Sequence, residues 1–362
     1  MNPVRRLSDF GQSPWLDFIR RGYVRDGSLA RLVAEDGVKG VTSNPAIFEQ
    51  AIAHSDDYDG AVAELAAQGR TAEEIYDVLS IVDVQEAADV FRGVYEETNG
   101  LDGYVSLEVS PLLAHDTQGT IADAHRLWAA LDRPNVMVKV PATRAGVPAI
   151  ERLLADGVNI NVTLLFGLER YRAVADAYVR AIRTRAERGQ DLRVASVASF
   201  FVSRLDTLLD PQLAGHEAMQ GQAAVALSRV AYGIYGEVFG PDFDDMRSQG
   251  AWTQRLLWAS TSTKNPAYPK TMYVDALVGP DTVDTIPLAT VEDYRAAGDP
   301  ADRLTGTAEA AAKTLHQIEA LGFSFEKLAD ELEEQAVQKF VDPFKSLLAA
   351  IEAKRSKVSV GS

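Results

Sequence analysis

The sequence predicts an α/β protein in which one parallel sheet of eight strands closes into a single (β/α)8, or TIM, barrel. Three observations lead there. Strand-like runs alternate with helical ones along the whole 362 residues. About eight such runs can be counted, and no Pro/Gly/Ser-rich linker divides the chain. Residues 1–355 are therefore expected to form one domain, with 356–362 as a flexible tail; α/β barrels commonly exceed the size of an average domain.

Strands are expected at 13–18, 40–42, 104–109, 136–140, 160–165, 194–201, 255–260 and 272–275. The fourth, "VMVKV", is apolar and β-branched on both faces, as in a parallel strand covered on both sides, and Pro141 ends it. Helical patterns fall at 61–65, 83–98, 120–131, 147–154, 168–188 and 222–239. Most connections have the length of ordinary αβ loops, but 205–254 is long enough to carry extra helices. The stretch 325–351 reads as a helix bent at Pro343. Ser324 is followed three residues later by Lys327 instead of Glu, so a full capping box is lacking, although Glu326 puts negative charge where the helix dipole favours it. Such a helix has two courses open to it, outside the barrel or across its mouth.

Composition narrows the chemistry. The formal net charge of −16 is spread along the chain, which argues against nucleic acid and anionic membranes as partners. An anionic ligand must then meet locally placed Lys or Arg. With no cysteine there is no disulfide, thiolate nucleophile or zinc-thiolate site. The N-terminus lacks an apolar signal core and no run reaches the roughly 18 apolar residues of a spanning helix, so a cytoplasmic location is expected. The five histidines are scattered without metal-ligand spacing, and phosphate-loop, dinucleotide and nucleophile-elbow motifs are missing. Neither metal nor cofactor is expected. Barrel enzymes commonly pair symmetrically, which makes a homodimer a candidate assembly on general grounds alone.

In a closed α/β barrel the reactive groups gather at the C-terminal strand ends. The polar residues there are Asp17, Asn44, Glu108, Lys139, Asn161, Thr163 and Ser199, followed by Arg204, Ser260 and Lys264. Each has an ordinary alternative. Lys139 pairs structurally with Glu108 or Asp17 in one of them. Asn44 before Pro45 makes a helix cap. Asp17 pairs with Arg20, Thr163 is simply a β-former, and Arg204 and Lys264 are solvated surface charges. What favours function is the recurrence on successive strands. A lysine walled by Val138 and Val140 can lose its proton near neutral pH and attack a carbonyl, forming a Schiff base. The protonated imine is an electron sink for breaking a C–C bond. Neighbouring carboxylates must lie close enough to pass protons without forming a tight pair.

These residues resemble a known family. "GVKGVTSNPAIF" (37–48) is similar to the transaldolase signature at the second strand. "VMVKVPAT" (136–143) and "GVNINVTLLF" (157–166) are similar to its lysine strand and the strand that follows. "SVASFFVSRLD" (196–206) and "LLWASTSTKNPAY" (256–268) extend the resemblance, which is nearest to the longer bacterial transaldolases and spans almost the whole chain. It implies a class I aldolase-type barrel with Lys139 as the Schiff-base nucleophile and Asp17 as the acid/base for the donor's C4 hydroxyl. Glu108 and Thr163 would hold a catalytic water, and Asn44, Asn161 and Ser199 would orient the substrate or the lysine. Arg204 would bind phosphate, with Phe201 lining its pocket. Lys264 stands where shorter relatives carry a second arginine, and a point charge lacks the arginine fork. The implied reaction moves a dihydroxyacetone unit between sugar phosphates of the pentose phosphate pathway. A fructose 6-phosphate aldolase and an inactive sugar-phosphate-binding barrel are the alternatives; Glu108 in "VSLEVS" argues against the first.

Overall fold

The computed structural model describes residues 2–360. Its centre is a closed barrel of eight parallel strands in sequence order. These are β1 (Gln12–Asp17), β2 (Gly40–Thr42), β3 (Tyr104–Glu108), β4 (Val136–Pro141), β5 (Ile160–Leu165), β6 (Ser196–Phe201), β7 (Arg255–Ala259) and β8 (Thr282–Ile286). All six residues of β4 are buried, the lysine included. A parallel strand surrounded by side chains inside and helices outside has no wet face, which explains the unbroken apolar pattern.

The eighth strand corrects the expectation. Residues expected as strand at 272–275 form a short helix, Met272–Ala276, and the barrel closes with "TVDTI" instead. Four of its five residues are β-branched, which suits a strand. Two threonines and an aspartate hid it from a search for apolar runs. The helix expected at 83–98 is two helices, Ala72–Val90 and Arg92–Glu97, the first opened by a capping box between Thr71 and Glu74. The 205–254 connection does carry additional helices, chiefly Ala223–Val238.

Register decides which side chains meet. Glu108 lies opposite Lys139, and Lys139 opposite Asn161, across β3, β4 and β5. Asp17 lies opposite Thr42 across β1 and β2. Between β5 and β6 the register shifts between Val162 and Leu165, and Leu164 takes a left-handed backbone with φ of 59°, so Thr163 sits at a bulge. Below the site the barrel is plugged by Trp15, whose indole N–H donates to Asp102 at 3.0 Å. Gly40 is required there: a Cβ would stand 2.6 Å from the Trp15 ring and 2.8 Å from the Tyr104 carbonyl oxygen.

The C-terminal helix is continuous over Phe325–Val360, with Pro343 inside it. It therefore runs through 356–360, part of the segment expected as a tail; no glycine or proline stops it before Gly361, and residues 361 and 362 lie outside the described residues. Its buried side chains, among them Phe325, Leu328, Leu332, Ala336, Phe340, Phe344, Leu347 and Ile351, repeat every three or four residues, the spacing of one helix face. That face packs on the helix Pro45–Ala53, the turn Pro111–Leu113, β5 and the helix Ser203–Leu209. These follow β2, β3 and β6 or belong to β5, so the helix lies across the C-terminal rim of the barrel.

Candidate active site

The lysine predicted from the fourth strand is the centre of a cavity of about 220 Å³ at that rim. Lys139 is only 5% exposed and Glu108 6%. The Lys139 Nζ donates to the carbonyl oxygen of Ser43 at 2.7 Å and lies 3.5 Å from Glu108 Oε2. Neither Glu108 carboxyl oxygen has a hydrogen-bond partner among the described residues. The pair is thus close but loose. Burial pushes the Glu108 carboxyl up to about 7 against the opposing pull of Lys139. Such a group can both take and give a proton near neutral pH.

Asp17 borders the cavity from the end of β1 and accepts a hydrogen bond from the Thr42 hydroxyl at 2.7 Å. Burial raises its carboxyl above the ordinary carboxylate range, although Lys139 and the Thr42 bond act the other way. The ordinary alternative for Asp17 fails, because Arg20 pairs with Asp57 at 3.2 Å. Asn44 has both its candidate roles: its side chain caps the helix Pro45–Ala53 by accepting from the Ile47 N–H at 3.0 Å, and the residue lines the cavity. Thr163 lines it as well, with a buried hydroxyl that has no partner among the described residues.

Ser199 and Phe201 of β6 are in the wall. Asn161 is not. It is completely buried, receives the Ser199 hydroxyl at 2.7 Å and donates to Ser106 at 3.1 Å, so it steadies Ser199 and occupies the strand position facing Lys139. Arg204 and Lys264 line the cavity with Ser260. The Arg204 guanidinium carbon stands 5.4 Å from the Phe201 ring centroid, and its Nη1 is buried without a hydrogen-bond partner. Burial lowers the pKa of both cations, and Arg204 lowers that of Lys264 further. Lys264 Nζ donates to the Ser262 hydroxyl at 2.6 Å. Two cations held together in a partly desolvated wall, one with an unused donor, suit an anion.

Sequence reasoning missed Thr42, Ser43, Ser262, Thr285 and Phe340. Thr42 and Ser43 sit inside the quoted second-strand motif, so their neighbourhood was visible. Thr285 belongs to the strand that polar residues disguised; its hydroxyl lies 2.6 Å from that of Thr42. Phe340 comes from the C-terminal helix, with its ring centroid 5.9 Å from Lys139 Nζ, and the long-range docking of that helix has no local signature.

A lysine, a carboxylate and two cations around one cavity at the mouth of a (β/α)8 barrel, with the Glu108 carboxyl outside that wall but 3.5 Å from the amine, suit an enzyme working on an anionic carbonyl compound. Comparison with known proteins makes the class specific. The family model described as Transaldolase/Fructose-6-phosphate aldolase matches residues 14–351. The chain is 47% identical over 357 residues to the transaldolase of Saccharopolyspora erythraea, covering 96% of each. It is 45% identical to that of Thiobacillus denitrificans, covering 97% of this chain and 100% of the relative, and 46% identical to that of Thermobifida fusca, covering 96% of each. The chain belongs to the transaldolase/fructose-6-phosphate aldolase family.

Proposed function

We infer that this protein is a transaldolase, transferring a dihydroxyacetone unit from a ketose phosphate to an aldose phosphate through a Schiff base on Lys139. The observation that carries the reading is a buried amine at the rim, 3.5 Å from a carboxyl group with no hydrogen bond of its own, in a cavity shared with Asp17, Arg204 and Lys264.

In its neutral form the Lys139 nitrogen attacks the ketose C2 carbonyl; the oxygen leaves as water and a protonated imine remains. Asp17 takes the C4 hydroxyl proton, the C3–C4 bond breaks, and its electron pair passes into the imine to leave an enamine on Lys139. An aldose phosphate departs and another accepts the three carbons in reverse. Glu108, poised near neutrality, exchanges protons through a water held with Thr163. The anchor at the Ser43 carbonyl fixes the nitrogen, and Arg204 with Lys264 binds the phosphate end. Sedoheptulose 7-phosphate and fructose 6-phosphate fit as donors, with glyceraldehyde 3-phosphate and erythrose 4-phosphate as acceptors. The reading puts the reaction in the cytoplasmic pentose phosphate pathway.

Borohydride reduction with fructose 6-phosphate should add a three-carbon mass to Lys139, and Lys139→Ala should abolish both adduct and turnover. Labelling elsewhere would refute the assignment. Rapid stoichiometric release of dihydroxyacetone without acceptor would point to an aldolase instead.

A further inference from the structure

A transferase working through an imine faces a competing reaction. A proton given back by Asp17 to the C3 carbon turns the enamine into an iminium again; water can then add to its C2 carbon, passing a proton to Glu108. The C2–N bond then breaks with its electron pair going to Nζ, which takes a proton as dihydroxyacetone departs. Nothing is oxidised or reduced, and the only co-reactant is water. The groups that serve imine formation, Glu108 and Thr163, would serve hydrolysis equally. Once that iminium has formed, the partition depends on how much water reaches the carbon.

The C-terminal helix contributes one apolar side chain to the cavity around Lys139. Phe340 is 5% exposed, lines the cavity beside Lys139 and Asp17 and keeps its ring 5.9 Å from Nζ. Its placement is set outside the site. One turn on, Phe344 meets Tyr76 edge to face at 5.5 Å, and Tyr76 meets Phe48 at 5.9 Å. Two turns back, Glu333 is 3.3 Å from Arg170. The helix is thus fastened on both sides of Phe340, and the ring is held over the amine before any substrate arrives.

We propose that Phe340 is a positioning residue that limits water at the imine carbon on Lys139 and so sets the partition between transfer and hydrolysis. The proposal rests on the Schiff-base reading above. It acts by apolar bulk: removing the ring opens room for more than one water, each taking about 30 Å³ in the liquid, next to the carbon Glu108 already serves.

The test measures, in each variant, free dihydroxyacetone released per transfer product formed from fructose 6-phosphate and erythrose 4-phosphate. Phe340→Ala should raise that ratio about tenfold, the equivalent of about 1.4 kcal/mol between two barriers. Phe340→Leu, which restores apolar bulk, should stay within about threefold of the parent on the same scale. Phe340→Val should fall between and carries the test should the alanine variant fail to fold. An unchanged ratio in the truncated variants, even with slower turnover, would overturn the proposal, as would a leucine variant as leaky as alanine. Borohydride trapping on the parent separates the two layers: no adduct at Lys139 defeats the Schiff-base reading, whereas an adduct with an unchanged ratio defeats the role of Phe340 alone.

Discussion

Replacing Glu108 by Gln tests the reasoning about the loose pair most directly. The amide keeps the shape and removes the titrating proton. Burial pushes the Glu108 carboxyl up to about 7, and its Oε2 stands 3.5 Å from Lys139 Nζ. Iminium formation begins with the carboxylate form, so in the parent enzyme kcat/KM should fall on the acid side of about pH 7. General acid–base catalysis by one positioned group contributes about 10²- to 10⁴-fold, or roughly 2.7 to 5.4 kcal/mol. Glu108→Gln should lose that much in kcat/KM and lose the acid limb with it. The assay couples the released aldose phosphate to a dehydrogenase between pH 5.5 and 9. A variant that keeps the limb, or loses less than about tenfold against the expected contribution, would refute the role.

Other perturbations separate the remaining elements. Arg204→Ala should raise KM for fructose 6-phosphate about 10- to 150-fold, since a hydrogen bond to a charged group is worth about 1.5–3 kcal/mol, while barely changing the use of unphosphorylated fructose. Lys264→Ala should do less, because its amine is a point charge with a hydroxyl already attached; equal losses on both sugars would remove the phosphate role. Asp284 of β8 is wholly buried, with one carboxyl oxygen accepting from Thr261 at 2.9 Å and the other without a partner; burial pushes its pKa up to about 8. A carboxyl raised in the folded state stabilises the fold fully below its unfolded pKa, about 3.9, and that stability is lost as pH rises towards 8. Asp284→Asn should therefore flatten the fall in stability between pH 5 and 8, by a few kcal/mol at about 1.4 per pH unit; parallel urea titrations at both pH values in parent and variant would contradict it. Gly40→Ala should cost roughly 1–3 kcal/mol by overpacking, read as a lower urea midpoint, because its Cβ has no room beside Trp15.

Lys139 could be read from the sequence because a charge in an apolar strand violates burial so strongly that it demands a reason. Asp17, Glu108 and Thr163 gained meaning only as a set recurring at strand ends, and their separations depended on register. The eighth strand escaped because its two threonines and its aspartate, each making a side-chain hydrogen bond, leave no apolar run; the apolar "MYV" nearby proved to be helix. Asn161 was placed on the right strand, yet its side chain is committed to Ser106 and Ser199 and stands out of the cavity wall.

By itself the sequence determined the alternation of strand and helix, the barrel class, the lysine and the cations that follow the sixth and seventh strands, because these follow from periodicity and from the cost of burying charge. Only the tertiary structure decided that Lys139 hangs from the Ser43 carbonyl, that Glu108 stays 3.5 Å away without a hydrogen bond, and that the Phe340 ring lies 5.9 Å from the amine. Those facts depend on strand register and on where a distant helix docks. Both are settled by packing among residues far apart in the chain, which no local pattern encodes.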